Sequence, residues 1–303
     1  MTRRYRADGR GARRRWRRLI GLLVLLIGAL VIAGALVVGD RLIAPVRARI
    51  GAPPASLALA PVSFRSESGA TLAGWIGAAK PGCPTVVLLH SLRSNRQEML
   101  GRAAFLAQSG YGVLLFDLQA HGESTGDHIT FGYRERHDAS AAIAFARLRQ
   151  PGTRIGVIGV SLGGASALLA DPPLTLDALV IEAVYPTVEE AGFNRVALRL
   201  GPLAHVLTPL LLMQFDWRLG FSPDALRPID RIAAITAPIF VIAGAEDRHT
   251  TLAESQRLFA QANEPKQFWA IDGAAHVDLH THARDAYQRR VGAFLATHLP
   301  CPD

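Results

Sequence analysis

Continuous apolar runs punctuate the chain at regular intervals, and each is too short for a helix to bury. Thr85–His90 (TVVLLH), Gly112–Asp117 (GVLLFD), Arg154–Val160 (RIGVIGV), Ala178–Ala183 (ALVIEA) and Ile239–Gly244 (IFVIAG) are six or seven residues long. That is the length of a strand buried on both faces of a parallel sheet. Gln267–Asp272 (QFWAID) is more mixed and reads as a strand nearer an edge, while Val62–Ser66 and Leu72–Gly77 read as an opening hairpin turning at Ser68-Gly69. Between these runs the apolar period changes to that of helices. Asn95–Gln108 carries Met99, Leu100, Ala103, Phe105 and Leu106 at helical spacing, and Arg136–Arg149, Leu162–Ala170, Leu252–Ala262 and Arg284–His298 complete the alternation. Strand–helix–strand units of this size predict an α/β domain, a mostly parallel central sheet with helices on both faces.

One stretch breaks the rhythm. Pro186–Ala237 has no clear strand, is interrupted by Pro202, Pro209, Pro223 and Pro228, and has an apolar middle, GPLAHVLTPLLLMQF. It reads as a helical cap insertion (186–237) over the strand ends, where ligands bind in open α/β sheets. An elaborate packed connection is the plainer alternative.

Leu19–Val38 is a different kind of run, twenty residues without a charged side chain. At about 1.5 Å per residue it matches the roughly 30 Å hydrocarbon layer of a bilayer. Nine of the 33 basic residues precede it between Arg3 and Arg18, with only Asp8 of the 25 acidic ones; the remainder carries 24 of each sign. The formal charge of +8 is thus concentrated in one short segment, and no basic face is left for a nucleic acid. Arginines beside an apolar span belong on the cytoplasmic side. The expected layout is a basic cytoplasmic segment 1–18, a transmembrane helix 19–38, a linker 39–61 rich in Pro, Ala and Gly, and a catalytic domain 62–303 on the outer, periplasmic or extracytoplasmic, side. A cleaved signal peptide is the rival, but its apolar region runs about 7–15 residues and ends at a small-residue site, whereas Asp40-Arg41 follows here. Cys83 and Cys301 stand in no metal-ligand spacing and read as two unrelated thiols, although an outward-facing domain could oxidise them. No metal and no cofactor are called for.

The chemistry centres on Gly159-Val160-Ser161-Leu162-Gly163, which lies between a buried run and an apolar helical stretch. Glycines at 159 and 163 suit a sharp strand-to-helix turn that lifts a serine above the sheet. A serine hydroxyl needs a base, a group to orient that base, and donors for the developing oxyanion. Gly244-Ala245-Glu246-Asp247 supplies the acid, with Asp247 preferred over Glu246; His276, beyond Gly273, supplies the base, ahead of His249, His280 and His282. Asp272 and Asp278 flank His276 and read as solvated charges that could tune it. The backbone amides of Leu162 and of Leu92, with Ser91 as the alternative, are the expected oxyanion donors.

Beyond these residues the chain resembles the α/β-hydrolase superfamily of serine hydrolases from about Val62 to Leu299. Leu88-Leu89-His90-Ser91 resembles its strand ending in His-Gly, Asp117-Leu118-Gln119-Ala120-His121-Gly122-Glu123-Ser124 its D-x-x-G-H-G-x-S turn, and Asp230 to Pro238 its re-entry into the sheet. Ser91 and Ala120 stand where that pattern has glycine, and a positive φ at Ser91 would carry a conformational penalty. The membrane-anchored branch resembling Bem46, ABHD12 and ABHD13 proteins is the best fit. It implies a carboxylic-ester or thioester substrate such as an acylglycerol or lysophospholipid, cleaved through Ser161, His276 and Asp247. A serine peptidase of the same fold and a non-catalytic membrane binding protein are the alternative expectations. Oligomeric state is not legible.

Overall fold

The computed structural model describes residues 9–302, so the first eight residues of the basic segment lie outside the described residues. In chain order the elements are α1 (Gly9–Ile43), β1 (Leu59–Arg65), β2 (Thr71–Gly77), β3 (Thr85–Leu89), α2 (Leu100–Gln108), β4 (Gly112–Phe116), α3 (Glu135–Arg149), β5 (Ile155–Val160), α4 (Leu162–Leu168) and β6 (Ala178–Glu182). The insertion contributes α5 (Val188–Leu200), α6 (Ala204–Leu212) and α7 (Gln214–Leu219); then come β7 (Ile239–Gly244), α8 (Leu252–Ala260), β8 (Lys266–Ile271), α9 (Leu279–His282) and α10 (Arg284–His298).

The strands form one eight-stranded sheet in the order β8-β7-β6-β5-β3-β4-β2-β1. Only β1 and β2 run antiparallel to their neighbours; the others are parallel. β3 to β7 are buried along their whole length, as continuous apolar runs require, whereas the mixed β8 lies at an edge. Alternation divides the core in two. Val87, Leu89, Leu114 and Phe116 face α3 and α4 through Ala139, Ile143 and Ala165. Val86, Leu88, Val113 and Leu115 face α2 and α10 through Ala103, Leu106, Val291 and Phe294.

Three departures from the sequence reading matter. First, α1 runs unbroken through Leu19–Val38 to Ile43, and the segment after it is no free stalk. Ile43 and Ile50 are buried, Val46–Arg47 pairs in parallel with His121–Gly122, and Ile129 N–H donates to the Ile43 carbonyl at 2.8 Å. Of the expected linker 39–61, the first part is therefore built into the domain; its β-branched residues find apolar cover that Pro/Ala/Gly composition conceals. Second, the hairpin strands begin earlier than expected, and β1 starts at Leu59 inside the linker range. Third, Cys83 and Cys301 are joined as a disulfide rather than standing as separate thiols. The chain after α10 turns back along the domain, with Leu299 buried and its carbonyl accepting from Tyr111 Oη at 3.0 Å, which brings Cys301 to Cys83.

The insertion is helical, and among the described residues 186–237 contain no strand. Gly220, in the left-handed conformation, ends α7, and Arg195 Nη1 and Asn194 Nδ2 of α5 reach the His249 carbonyl at 3.4 and 3.3 Å.

Candidate active site

The sheet sets the geometry. Ser161 N–H donates to the Glu182 carbonyl at 2.7 Å and Ala183 N–H to the Ile242 carbonyl at 2.9 Å, so β5, β6 and β7 end at one carboxyl edge. There the chain must reverse from strand to helix within a residue. Ser161 does so with φ 47° and ψ −107°, a conformation that costs a non-glycine residue about 1–3 kcal/mol. The turn is possible only because its neighbours lack side chains: a Cβ on Gly163 would collide with the Leu89 carbonyl, and one on Gly159 would lie 2.6 Å from Gly164 N. The same contact presses the first turn of α4 against the end of β3. Leu162 opens that turn of α4, and the 90–92 loop continues from that end of β3.

Past β7, Asp247 is buried while Glu246 is exposed, which separates the two acid candidates. Asp247 Oδ1 accepts from the amides of His249 (2.7 Å) and Thr250 (3.0 Å), and Oδ2 lies 2.6 Å from His276 Nδ1. Burial pushes the Asp247 carboxyl up, but the hydrogen bond and charge of His276 and the two amides outweigh it, leaving the group below its ordinary value. Asp247 is thus ionised at neutral pH and holds His276 with Nδ1–H toward it, which leaves Nε2 as the free acceptor. The loops bearing the pair are themselves bonded: Glu246 N–H donates to the Ala274 carbonyl and Ala245 N–H to the Ile271 carbonyl, both at 2.9 Å. The structure thus joins Asp247 to His276 and puts Ser161 on the same edge; among the described residues Ser161 Oγ makes no hydrogen bond, so the serine–histidine contact is open.

Around this core further residues do the holding, and of them Arg102, Glu182 and Tyr287 went unremarked in the sequence. The His249 ring stands 5.1 Å from that of His276, and burial, with the charges of Arg195 and His276, lowers its pKa. Arg102 is fully buried and bidentate on Glu182 (2.9 and 2.6 Å), while Tyr287 Oη donates to the same carboxylate at 2.6 Å. Its third arm reaches Asp278 at 2.9 Å, two residues beyond His276. Asp278 is therefore a paired group that also caps α9, not a solvated charge; Asp272 is exposed as expected. A glutamate inside the apolar run ALVIEA was the available signal for this cluster. His280 is buried and His282 exposed.

The oxyanion side is laced by two neutral imidazoles. His90 Nδ1–H donates to the Ser91 carbonyl (2.7 Å) and its Nε2 accepts from Leu118 N–H (3.0 Å). His121 Nδ1–H donates to the Gln119 carbonyl (2.9 Å) and its Nε2 accepts from Arg93 N–H (3.1 Å). Ser91 N–H and Oγ both donate to Glu98 Oε2, at 2.8 and 2.9 Å, which commits the Ser91 amide and leaves Leu92 as the candidate oxyanion donor on this loop. The conformational penalty expected at Ser91 falls elsewhere. Positive φ occurs at Arg93 (62°) and Ala120 (60°), while Ser91 has none.

A doubly covered, mostly parallel sheet with a strained serine turn and an Asp–His pair at its carboxyl edge defines a hydrolase of the α/β type. The chain belongs to the alpha/beta hydrolase family, whose model matches residues 86–289. It is similar to the uncharacterized protein YqkD of Bacillus subtilis, 22% identical over 215 residues and covering 70% of each chain. It is also similar to the uncharacterized protein Rv2307c of Mycobacterium tuberculosis, 28% identical over 222 residues and 72% of each. Among solved structures, the Pyrococcus furiosus esterase Pf2001 superposes with a TM-score of 0.68 at 25% identity, covering 84% of this chain and 99% of that one.

Proposed function

We propose that the protein is a membrane-anchored serine hydrolase that cleaves carboxylic esters of amphiphilic acyl compounds, acylglycerols or lysophospholipids among them, through an acyl-enzyme. The observation that carries this reading is the 2.6 Å Asp247–His276 hydrogen bond at the edge where Ser161 is held in a strained turn. His276 Nε2 takes the proton of Ser161 Oγ as that oxygen attacks the acyl carbon. Asp247 stabilises the imidazolium, and the amides of Leu162 and Leu92 receive the oxyanion. The imidazolium then protonates the departing alcohol. Water, deprotonated by the same ring, attacks the acyl-enzyme and releases the acid. The likeness to an esterase of solved structure supports ester over other acyl substrates.

Two features support the anchor and the outward orientation. Among the described residues, Arg13–Ile43 is a helix long and apolar enough to cross a membrane, with none of its most apolar stretch buried. The Cys83–Cys301 disulfide fits an oxidising compartment. The helical insertion at the acid loop serves as the cap over the acyl site, and a modest insertion is a feature shared with the membrane-anchored Bem46/ABHD-like branch that the sequence resembles. The decisive test is a fluorophosphonate probe: the wild type labels and Ser161→Ala does not, with kcat on a p-nitrophenyl ester falling by about a million-fold. Absence of labelling in folded wild type would refute the triad.

A further inference from the structure

α6 and α7 form a nearly continuous helical rod with three distinct faces. Ala204, Thr208, Phe215 and Leu219 are buried against the domain. A second face meets α1: Gln214 Nε2 donates to the Ala35 carbonyl at 3.1 Å, and Arg218 donates to the Leu36 carbonyl at 3.0 Å and pairs with Asp40. Gly39 makes room there, because a Cβ at that position would run into the Gln214 side chain. The third face is apolar and open. Leu203, Val206, Met213 and Trp217 follow one another at intervals of three, seven and four residues, one side of a helix, and are exposed by 58, 59, 67 and 64%. Leu210 fills the gap in the seven-residue interval and is half-buried.

The contacts with α1 fix the level of this face. Ala35 and Leu36 lie inside the span Leu19–Val38, three and two residues from its outer end, which at 1.5 Å per residue is about 3–5 Å within the hydrocarbon. A rod bonded to those two carbonyls cannot stand off in water. Arg93 Nη1, on the oxyanion loop, donates to the Arg41 carbonyl at 3.1 Å, so α1 is joined to the rod and to the catalytic loop together. We infer that the Leu203–Trp217 stripe is a second membrane-contacting surface, embedded in the outer leaflet of the phospholipid bilayer beside α1, which holds the mouth of the site against the lipid. The anchor is then a rigid strut and not a tether. Substrate passes from leaflet to Ser161 along the insertion without crossing bulk water. This rests on the membrane-anchored reading above.

The test uses the full chain reconstituted into phosphatidylcholine vesicles. Trp217 emission is taken as the difference between wild type and Trp217→Phe, and is measured with phospholipids brominated at shallow and deep acyl positions and with aqueous iodide. Shallow bromines should quench it strongly and iodide weakly. A second arm compares Val206→Asp/Met213→Asp with wild type: kcat/KM for a long-chain monoacylglycerol in vesicles should fall about tenfold or more as the face loses its burial, with p-nitrophenyl acetate hydrolysis unchanged. Iodide quenching without bromolipid quenching, in protein that co-floats with vesicles, overturns the embedded face and spares the anchor. Equal loss on both substrates, or on neither, also overturns it. Failure to co-float removes the anchor and this inference together, while p-nitrophenyl acetate hydrolysis reports independently on the triad.

Discussion

His90 and His121 are enclosed, stacked edge to face at 5.1 Å, and used twice each, as one donor and one acceptor. A ring that accepts from a backbone amide on one nitrogen and donates from the other has no place for a second proton. Burial accordingly lowers both pKa values to about 4, with the Arg96 charge adding to the effect at His90 and the His90 charge at His121. The unfolded rings titrate near 6.5, so as pH falls from 6.5 to about 4 the unfolded chain binds protons that the native rings refuse, and stability falls with them. Asp138 acts in the opposite sense. Burial pushes its carboxyl up to about 7, so between 3.8 and that value the native chain holds a proton the unfolded one has released. The prediction is drawn from a difference: in His121→Gln the slope of unfolding free energy against pH, from urea titrations between pH 6.5 and 4.5, should be shallower by about 1 kcal/mol per pH unit on average, approaching the ~1.4 of one whole proton in mid-window. An unchanged slope would mean that His121 is not held neutral.

At the scale of elements, the five inner strands were legible to within a residue because full burial makes them unbroken apolar runs. Ser161 and Asp247 could be singled out as candidates because each follows such a run, and His276 because it follows the mixed edge strand β8. What the sequence hid was held by long-range pairing: Glu182 is 80 residues from Arg102 and 105 from Tyr287, separations at which no local pattern survives. The Cys83–Cys301 bond, 218 residues apart, escaped for the same reason. Likewise the burial of Ile43 and Ile50 depends on the 117–129 turn arriving beneath them. Arg102 binds three elements at once, α2 to β6 and to the loop between His276 and α9. Arg102→Met leaves Glu182 buried without its countercharge and should lower the unfolding free energy by about 3–5 kcal/mol. Adding Glu182→Met should restore most of that, since a buried ion pair replaced by apolar side chains of similar volume is often neutral. Denaturant titration of the two variants checks both statements; a double variant as unstable as the single would show that the pair itself, rather than the orphaned charge, supplies the stability.

For the whole molecule the proposed anchor raises the question of which side of a membrane the domain would face, and the disulfide bears on it directly. Cys83 lies just before β3 and Cys301 just after α10, so the bond ties the back-folded segment after α10 to the core; Arg154 also donates to the Pro300 carbonyl there. Closing a loop of more than 200 residues removes much freedom from the unfolded chain. Loss of such a bond typically costs about 2–5 kcal/mol, or about 5–15 °C in Tm for a domain of this size. Neither sulfur touches Ser161, Asp247 or His276, so Cys83→Ser/Cys301→Ser should melt earlier while hydrolysing p-nitrophenyl acetate at the wild-type rate at 25 °C. The same pair reports topology. A domain facing the reducing side would carry free thiols, whereas one facing outward carries the bond. Alkylating intact cells with a membrane-permeant maleimide, then reducing and labelling with a second maleimide, should mark both cysteines only in the second step. Labelling in the first step would place the domain on the cytoplasmic side, and the leaflet proposed to meet the insertion would change with it.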